Sequence, residues 1–138
     1  MSRGFEVLEH TADIGFRAWA PTFEEMMGEA ATGLVSIVLD IRTVSAREEH
    51  AIAAKGDDRE SLLVNWLSEV LYYTDGKQLA LCRFDVNPSD GFEASGSAWG
   101  EPRSVRHRPK LIVKGVTYHQ LKVVHRPDCW MCEVYLDV

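Results

Sequence analysis

Carboxylates stand near both ends of this chain, beside segments that read as strands. His10-Thr11-Ala12-Asp13 runs directly into a stretch in which Ile14, Phe16 and Ala18 alternate onto one face, and the chain closes on Tyr135-Leu136-Asp137-Val138. A hard divalent cation such as Ca²⁺, Mg²⁺ or Mn²⁺ is held by several oxygen ligands, and Asp13, the Asp137 carboxylate and the Val138 carboxyl terminus are oxygen donors of that kind. On spacing alone the same residues read equally as a turn that opens a strand and a solvated C-terminal tail, and only the fold decides between the two.

Three further groupings invite chemistry. Val113-Lys114-Gly115-Val116-Thr117-Tyr118-His119 puts an ammonium on a short alternating segment followed by three polar tips; it reads as a hairpin with a surface lysine, or as a point charge aimed at a phosphate or a partner carboxylate. His125, Cys129 and Cys132 have zinc-like spacing without a fourth ligand, and on a strand two residues three apart face opposite ways. Arg103, Arg106, His107, Arg108 and Lys110 make a basic run broken by Pro102 and Pro109, a solvated loop or the place where a phosphate-bearing partner would dock. No phosphate-cradling glycine motif, nucleophile elbow or HExxH metalloprotease motif occurs.

Composition bounds these readings. The chain has 138 residues, 46% of them hydrophobic, enough for one domain to bury a core without metal or disulfide staples. A formal charge of −6 argues against sequence-independent nucleic-acid binding by the whole surface. Three cysteines fit a reducing compartment, and no stretch approaches the ~20 apolar residues of a bilayer span, so a cytoplasmic protein without membrane contact is expected.

The elements that must position these residues follow from periodicity. Segments 5–8 and 14–19 read as strands. Thr22 and Glu25 form a capping box for a helix in which Phe23, Met26, Met27, Ala30, Ala31, Leu34, Val35 and Val38 make one apolar stripe. Segment 48–54 is a strand, Gly56-Asp57-Asp58 a turn with an N-cap, and Leu62, Leu63, Trp66, Leu67, Val70 and Leu71 the buried face of a second helix ending at Thr74-Asp75-Gly76. Segments 79–86, 92–99, 111–116, 121–125 and 130–137 complete a strand-rich C-terminal half. The expected fold is α+β: two amphipathic helices packed on an antiparallel or mixed β-sheet, in a single two-layer domain over residues 1–138.

Taken together, Glu9-HTADIGF, Thr22-Phe23-Glu24-Glu25, SLLVNWLSEVLY at 61–72, Ala98-Trp99-Gly100-Glu101, VKGVTYHQL at 113–121 and the terminal LDV resemble the archease family over nearly the whole chain. The resemblance implies a non-enzymatic accessory protein in tRNA splicing. Archeases activate an RtcB-type RNA ligase, promoting its guanylylation and multiple turnover and broadening its nucleotide use, and they meet RNA only through that ligase. The resemblance further implies a metal site, for calcium or for Mg/Mn, formed by Asp13, Asp137 and Val138, with Lys114 tied to partner activation and His10, Thr11 and His119 in support. Gly115 departs from the family's common alanine, and Cys129 and Cys132 match no family motif.

Two other functions fit the same residues. One is a stand-alone metal-dependent phosphohydrolase or nucleic-acid-modifying enzyme with His10 or His119 as general base. The other is a chaperone-like interaction module in which the carboxylates play no part.

Overall fold

The computed structural model describes residues 2–9, 13–89 and 91–138. Three of the four residues of the HTAD turn, His10, Thr11 and Ala12, therefore lie outside the described residues. β1 (Gly4–Glu9) and β2 (Ile14–Ala20) form an antiparallel hairpin. α1 (Phe23–Val38) follows, then β3 (Glu48–Lys55), α2 (Arg59–Leu71), β4 (Leu79–Val86), β5 (Glu93–Pro102), β6 (Gly115–Val116), β7 (Lys122–Arg126) and β8 (Cys129–Asp137).

The α+β class is as expected, with a difference in the sheet. Among the described residues there are two sheets, both antiparallel: a five-stranded one in which β2 lies between β1 and β8 while β6 and β7 share the far edge of β8, and a three-stranded one ordered β3-β5-β4. α1 causes the split, because it carries the chain from the end of β2 across to the second group of strands while β8 returns to close the first.

Thr22 caps α1 through its side chain, which accepts from the Glu25 N–H at 3.1 Å. The reciprocal half of the expected capping box is altered: the Thr22 hydroxyl donates to the Glu25 carboxylate at 2.9 Å, and Arg3 holds the same carboxylate at 2.7 Å. Asp58 caps α2 together with Ser61, and the helix unwinds into a wide turn over Tyr72–Gly76. Every residue of both apolar stripes is buried. The Trp66 indole N–H donates to Met27 O at 3.2 Å, tying the two helices inside the core.

The segment leading to β6 departs from the expected strand over 111–116, since only Gly115–Val116 pair. Arg108 takes a left-handed backbone (φ 54°), the Lys110 N–H donates to Val38 O at 2.8 Å, and Leu111 and Ile112 are exposed. The chain here is held by the end of α1 instead of by a sheet.

What fixes its path is a buried carboxylate. Glu101, 1% exposed, accepts from Ser45 N–H, His107, Arg106 and Arg47. Because His107 Nδ1 accepts the Ser104 N–H, its Nε2 carries the proton and donates to Glu101 at 2.8 Å, so the latch closes with a neutral imidazole. The Ser45 N–H bond, then the His107 and Arg106 contacts, hold the Glu101 pKa down at about 2 against the opposing effect of burial.

Two expectations follow. Trp66→Ala, which empties a fully buried site, should cost about 3–5 kcal/mol in urea unfolding. Glu101→Gln should lower the melting temperature at neutral pH. Because the folded-state pKa is depressed, the carboxylate's contribution is complete above the ordinary glutamate range near 4.5 and drains as pH falls towards about 2. Melting curves across that window should show a steeper slope in the wild type than in the variant, in which Asp40, Asp58 and Glu133 still titrate.

Candidate functional site

β2 pairs with β8 so that Ile14 faces Leu136, Phe16 faces Val134 and Ala18 faces Cys132. Continuing that register one step sets Asp13 beside Asp137, with about 5 Å between neighbouring Cα atoms. On the opposite edge of β8, Gly115 pairs with Asp137, and the Lys114 N–H donates to the Asp137 carbonyl at 2.6 Å. Asp13, Lys114, Asp137 and Val138 thus converge on one end of the five-stranded sheet, although they come from three distant parts of the chain.

The core determines which way these residues point. Phe16, Ala18, Cys132, Val134 and Leu136 are buried against the helices, so Gly15, Arg17, Glu133, Tyr135 and Asp137 occupy the opposite face, and alternation from Gly15 carries Asp13 to that same side. This outer face carries a ladder of charge along one rung. Glu6, Arg17, Glu133 and Lys122 lie across β1, β2, β8 and β7, with Arg17 donating to Glu6 and, at 2.8 Å, to Glu133. Lys122 Nζ stands 3.9 Å from the other Glu133 oxygen.

The rung at Asp13 and Asp137 has no such compensation: among the described residues neither carboxylate takes part in an ion pair. Asp137, Val138 and Lys114 are exposed, and no ion pair or hydrogen bond among the described residues engages the Lys114 ammonium. Two carboxylates and a carboxyl terminus suit a hard cation. No group of three or more His, Cys, Asp or Glu side chains gathers as a metal cluster among the described residues.

Other expected participants lie elsewhere. His10 and Thr11 fall outside the described residues. His119 is exposed in the loop after β6, where its N–H donates to Thr117 Oγ1 at 3.2 Å; its ring makes no hydrogen bond or ion pair among the described residues.

The zinc and phosphate-dock readings lose their geometry. Cys132 is buried in the core, its thiol pushed up to about 12 by that burial, while Cys129 sits half-buried and odd-spaced on the strand. His125 stacks on Trp130 with ring centroids 4.0 Å apart, and Arg59 lies over that Trp130 ring at 5.0 Å. The basic run is turned onto its own chain: Arg103 pairs with Asp75, Arg106 with Glu101, and Lys110 Nζ donates to Ser36 O.

Three supporting residues escaped sequence reasoning. Thr117 closes the gap between β6 and β7 by donating both its N–H, at 3.2 Å, and its hydroxyl, at 3.1 Å, to Tyr135 O. The buried Tyr135 hydroxyl donates to Glu133 at 3.1 Å. Burial, that bond and the charges of Glu133 and Asp13 all push the phenol pKa up. Burial would also raise the Glu133 carboxyl, but Arg17, Tyr135 and Lys122 outweigh it and hold the group below its usual range. For Tyr135 and Glu133 the available signal was alternate placement on the strand that ends in Asp137; Thr117 stood among the polar tips that follow Lys114.

Comparison with known proteins agrees over the full length. The model of the archease protein family (MTH1598/TM1083) matches residues 5–138. The chain is 37% identical to protein archease of Pyrococcus furiosus over 141 residues, covering 99% of each chain, and 36% identical to that of Methanopyrus kandleri, covering 97% and 99%. The solution structure of Methanobacterium thermoautotrophicum protein 1598 superposes with a TM-score of 0.82 at 32% identity, over 98% of this chain and 99% of that one. A Thermotoga maritima crystal structure, described as an archease and possible chaperone, shares the fold with a TM-score of 0.67 at 22% identity, over 95% and 94%. The chain belongs to the archease family.

Proposed function

We propose that this protein activates an RtcB-type RNA ligase in tRNA splicing, promoting guanylylation and repeated turnover and broadening nucleotide use, through a divalent cation held by Asp13, Asp137 and the Val138 terminus. Membership of the archease family supports the accessory role. The observation that carries the site is the β2-β8-β6 register, which gathers those residues and Lys114 at one sheet end.

In this reading Asp13 and Asp137 supply hard oxygen donors from adjacent strands, and a cation bound there, calcium or Mg/Mn, would supply positive charge for phosphate oxygens. Two carboxylates and a chain terminus leave coordination positions for a partner's groups. Lys114 offers a mobile point charge at the same end, suited to a phosphate or carboxylate of the ligase assembly. Strand pairing holds the donors in place, so the chain needs no large rearrangement to present them. RNA contact runs through the ligase.

The test is a stoichiometric mixture with an RtcB-type ligase in which covalent GMP attachment is followed over time. Asp13→Asn should keep the wild-type circular dichroism and melting temperature but lose at least about tenfold in stimulation. Full stimulation by this variant overturns the reading, as does turnover of nucleotides or short RNAs by the protein alone. Lys114→Ala should also lose stimulation while binding Ca²⁺ as the wild type does in calorimetry, which separates the ammonium's role from that of the carboxylates.

A further inference from the structure

Resting on the site reading above, we infer that Tyr135 is the positioning residue of the Asp13–Asp137 pair: its ring lies over Gly15 and its hydroxyl is anchored on Glu133, fixing where the start of β2 sits against the end of β8.

On the outer face of β2 and β8 three rungs follow one another. Arg17 faces Glu133 and Gly15 faces Tyr135, and carrying the register one step past Ile14 puts Asp13 beside Asp137. The face opposite a core is normally wet, yet Glu133 is 8% and Tyr135 5% exposed. Tyr135 achieves this by folding its ring across the neighbouring strand. A Cβ on residue 15 would collide first with Val134 O and would stand 2.8 Å from Tyr135 Cδ1, so the neighbouring backbone and the tyrosine ring together leave no room for a side chain there. The glycine two residues after Asp13 is thus the socket of Tyr135.

Every degree of freedom of this tyrosine is tied down. Thr117 holds its carbonyl with two hydrogen bonds, Gly15 receives its ring, and Glu133 accepts its hydroxyl. Glu133 is itself fixed by Arg17, which is fixed by Glu6. A rigid chain therefore runs from the charge ladder to the rung next to the carboxylates. That matters because β2 begins at Ile14 and β8 ends at Asp137, and strand ends fray unless something clamps them. Outer partners that orient metal-binding carboxylates typically change ion affinity by about 10–100-fold when removed.

The probes are Ca²⁺ in calorimetry and Tb³⁺, a hard luminescent surrogate, excited at tyrosine wavelengths with the full chain. Tyr135→Phe keeps the aromatic ring and removes the hydroxyl that donates to Glu133, so its circular dichroism should match the wild type while Ca²⁺ binding weakens about tenfold. Tb³⁺ titrations, read by their midpoint because the variant also lacks one excitation donor, should shift about tenfold at an unchanged melting temperature, a pairing a merely structural role would not give. Glu133→Gln should weaken Ca²⁺ binding in the same direction, and the double variant should lose no more than the worse single one, because both cut the same chain.

Wild-type Ca²⁺ and Tb³⁺ affinity in Tyr135→Phe, with Asp13→Asn deficient, overturns the inference and leaves the site reading intact. Ca²⁺ binding equal in wild type and Asp13→Asn, or absent from the wild type, overturns both. Should Tyr135→Phe fail to fold, Glu133→Gln decides alone: unchanged Ca²⁺ affinity overturns the inference and a several-fold loss supports it.

Discussion

The pairing register of β2 with β8 is the constraint on which everything else depends. Residues in a strand alternate between faces, so slipping this pair by one position would send Phe16 or Val134 to solvent and turn Asp13 and Asp137 to different sides. Three independent features prevent the slip. The fully buried Phe16, Ala18, Cys132 and Val134 demand the helix side, Arg17 and Glu133 pair on the outer side, and the Tyr135 ring fits only opposite a glycine. One displaced rung would bring that ring against Ile14 or Phe16, where side chains already fill the space.

The second half of the site is delivered by a different device. β6 is only two residues long and cannot define its own path, so its approach is set upstream. The Glu101–His107 latch shapes the loop, the Lys110 N–H bonds Val38 O at the end of α1, and buried Val113 drops into the core just before Lys114. The basic run that looked like a phosphate dock is spent on this task. Arg103 and Arg106 neutralise Asp75 and Glu101 and Lys110 reaches the last carbonyls of α1, which shows why a cluster of like charges in sequence need not be a patch in space.

Most of the scaffold was legible in the letters because it obeys local rules. Both helices show unbroken apolar stripes and side-chain caps at Thr22 and Asp58, and alternation marks β1, β2 and β8. The segment 111–112 looked like a strand because Leu111 and Ile112 are apolar, but among the described residues no strand pairs with them, and exposed they serve no core. The division into two sheets was hidden as well, since which strand returns to which partner is a long-range choice that no window of residues records. At the site, the resemblance joined Asp13 to Asp137 and Val138 and named Lys114, but the means of bringing them together was not legible, because it depends on β8 crossing back to β2 and on β6 pairing with β8. Tyr135 and Glu133 were invisible for a subtler reason: alternation assigned them to a wet face, and only the glycine opposite let a tyrosine cover it.

The contrast between neighbouring rungs says what kind of place the sheet end is. Along Glu6, Arg17, Glu133 and Lys122 each charge meets its opposite, as cross-strand pairs in a stable sheet do. One rung beyond Tyr135 the rule is broken: two carboxylates occupy adjacent positions, and among the described residues no cation pairs with either. Like charges facing across strands destabilise a sheet, and nothing in the packing of Ile14 or Leu136 requires acids at positions 13 and 137. A rule kept across four strands and abandoned at the terminal rung agrees with the proposed cation site, where stability would be given up for chemistry. A hard cation between the two carboxylates would turn that repulsion into attraction. The rigid rung beneath, with Tyr135 clamped between Gly15 and Glu133, would then hold the carboxylates at one fixed separation instead of letting them drift apart.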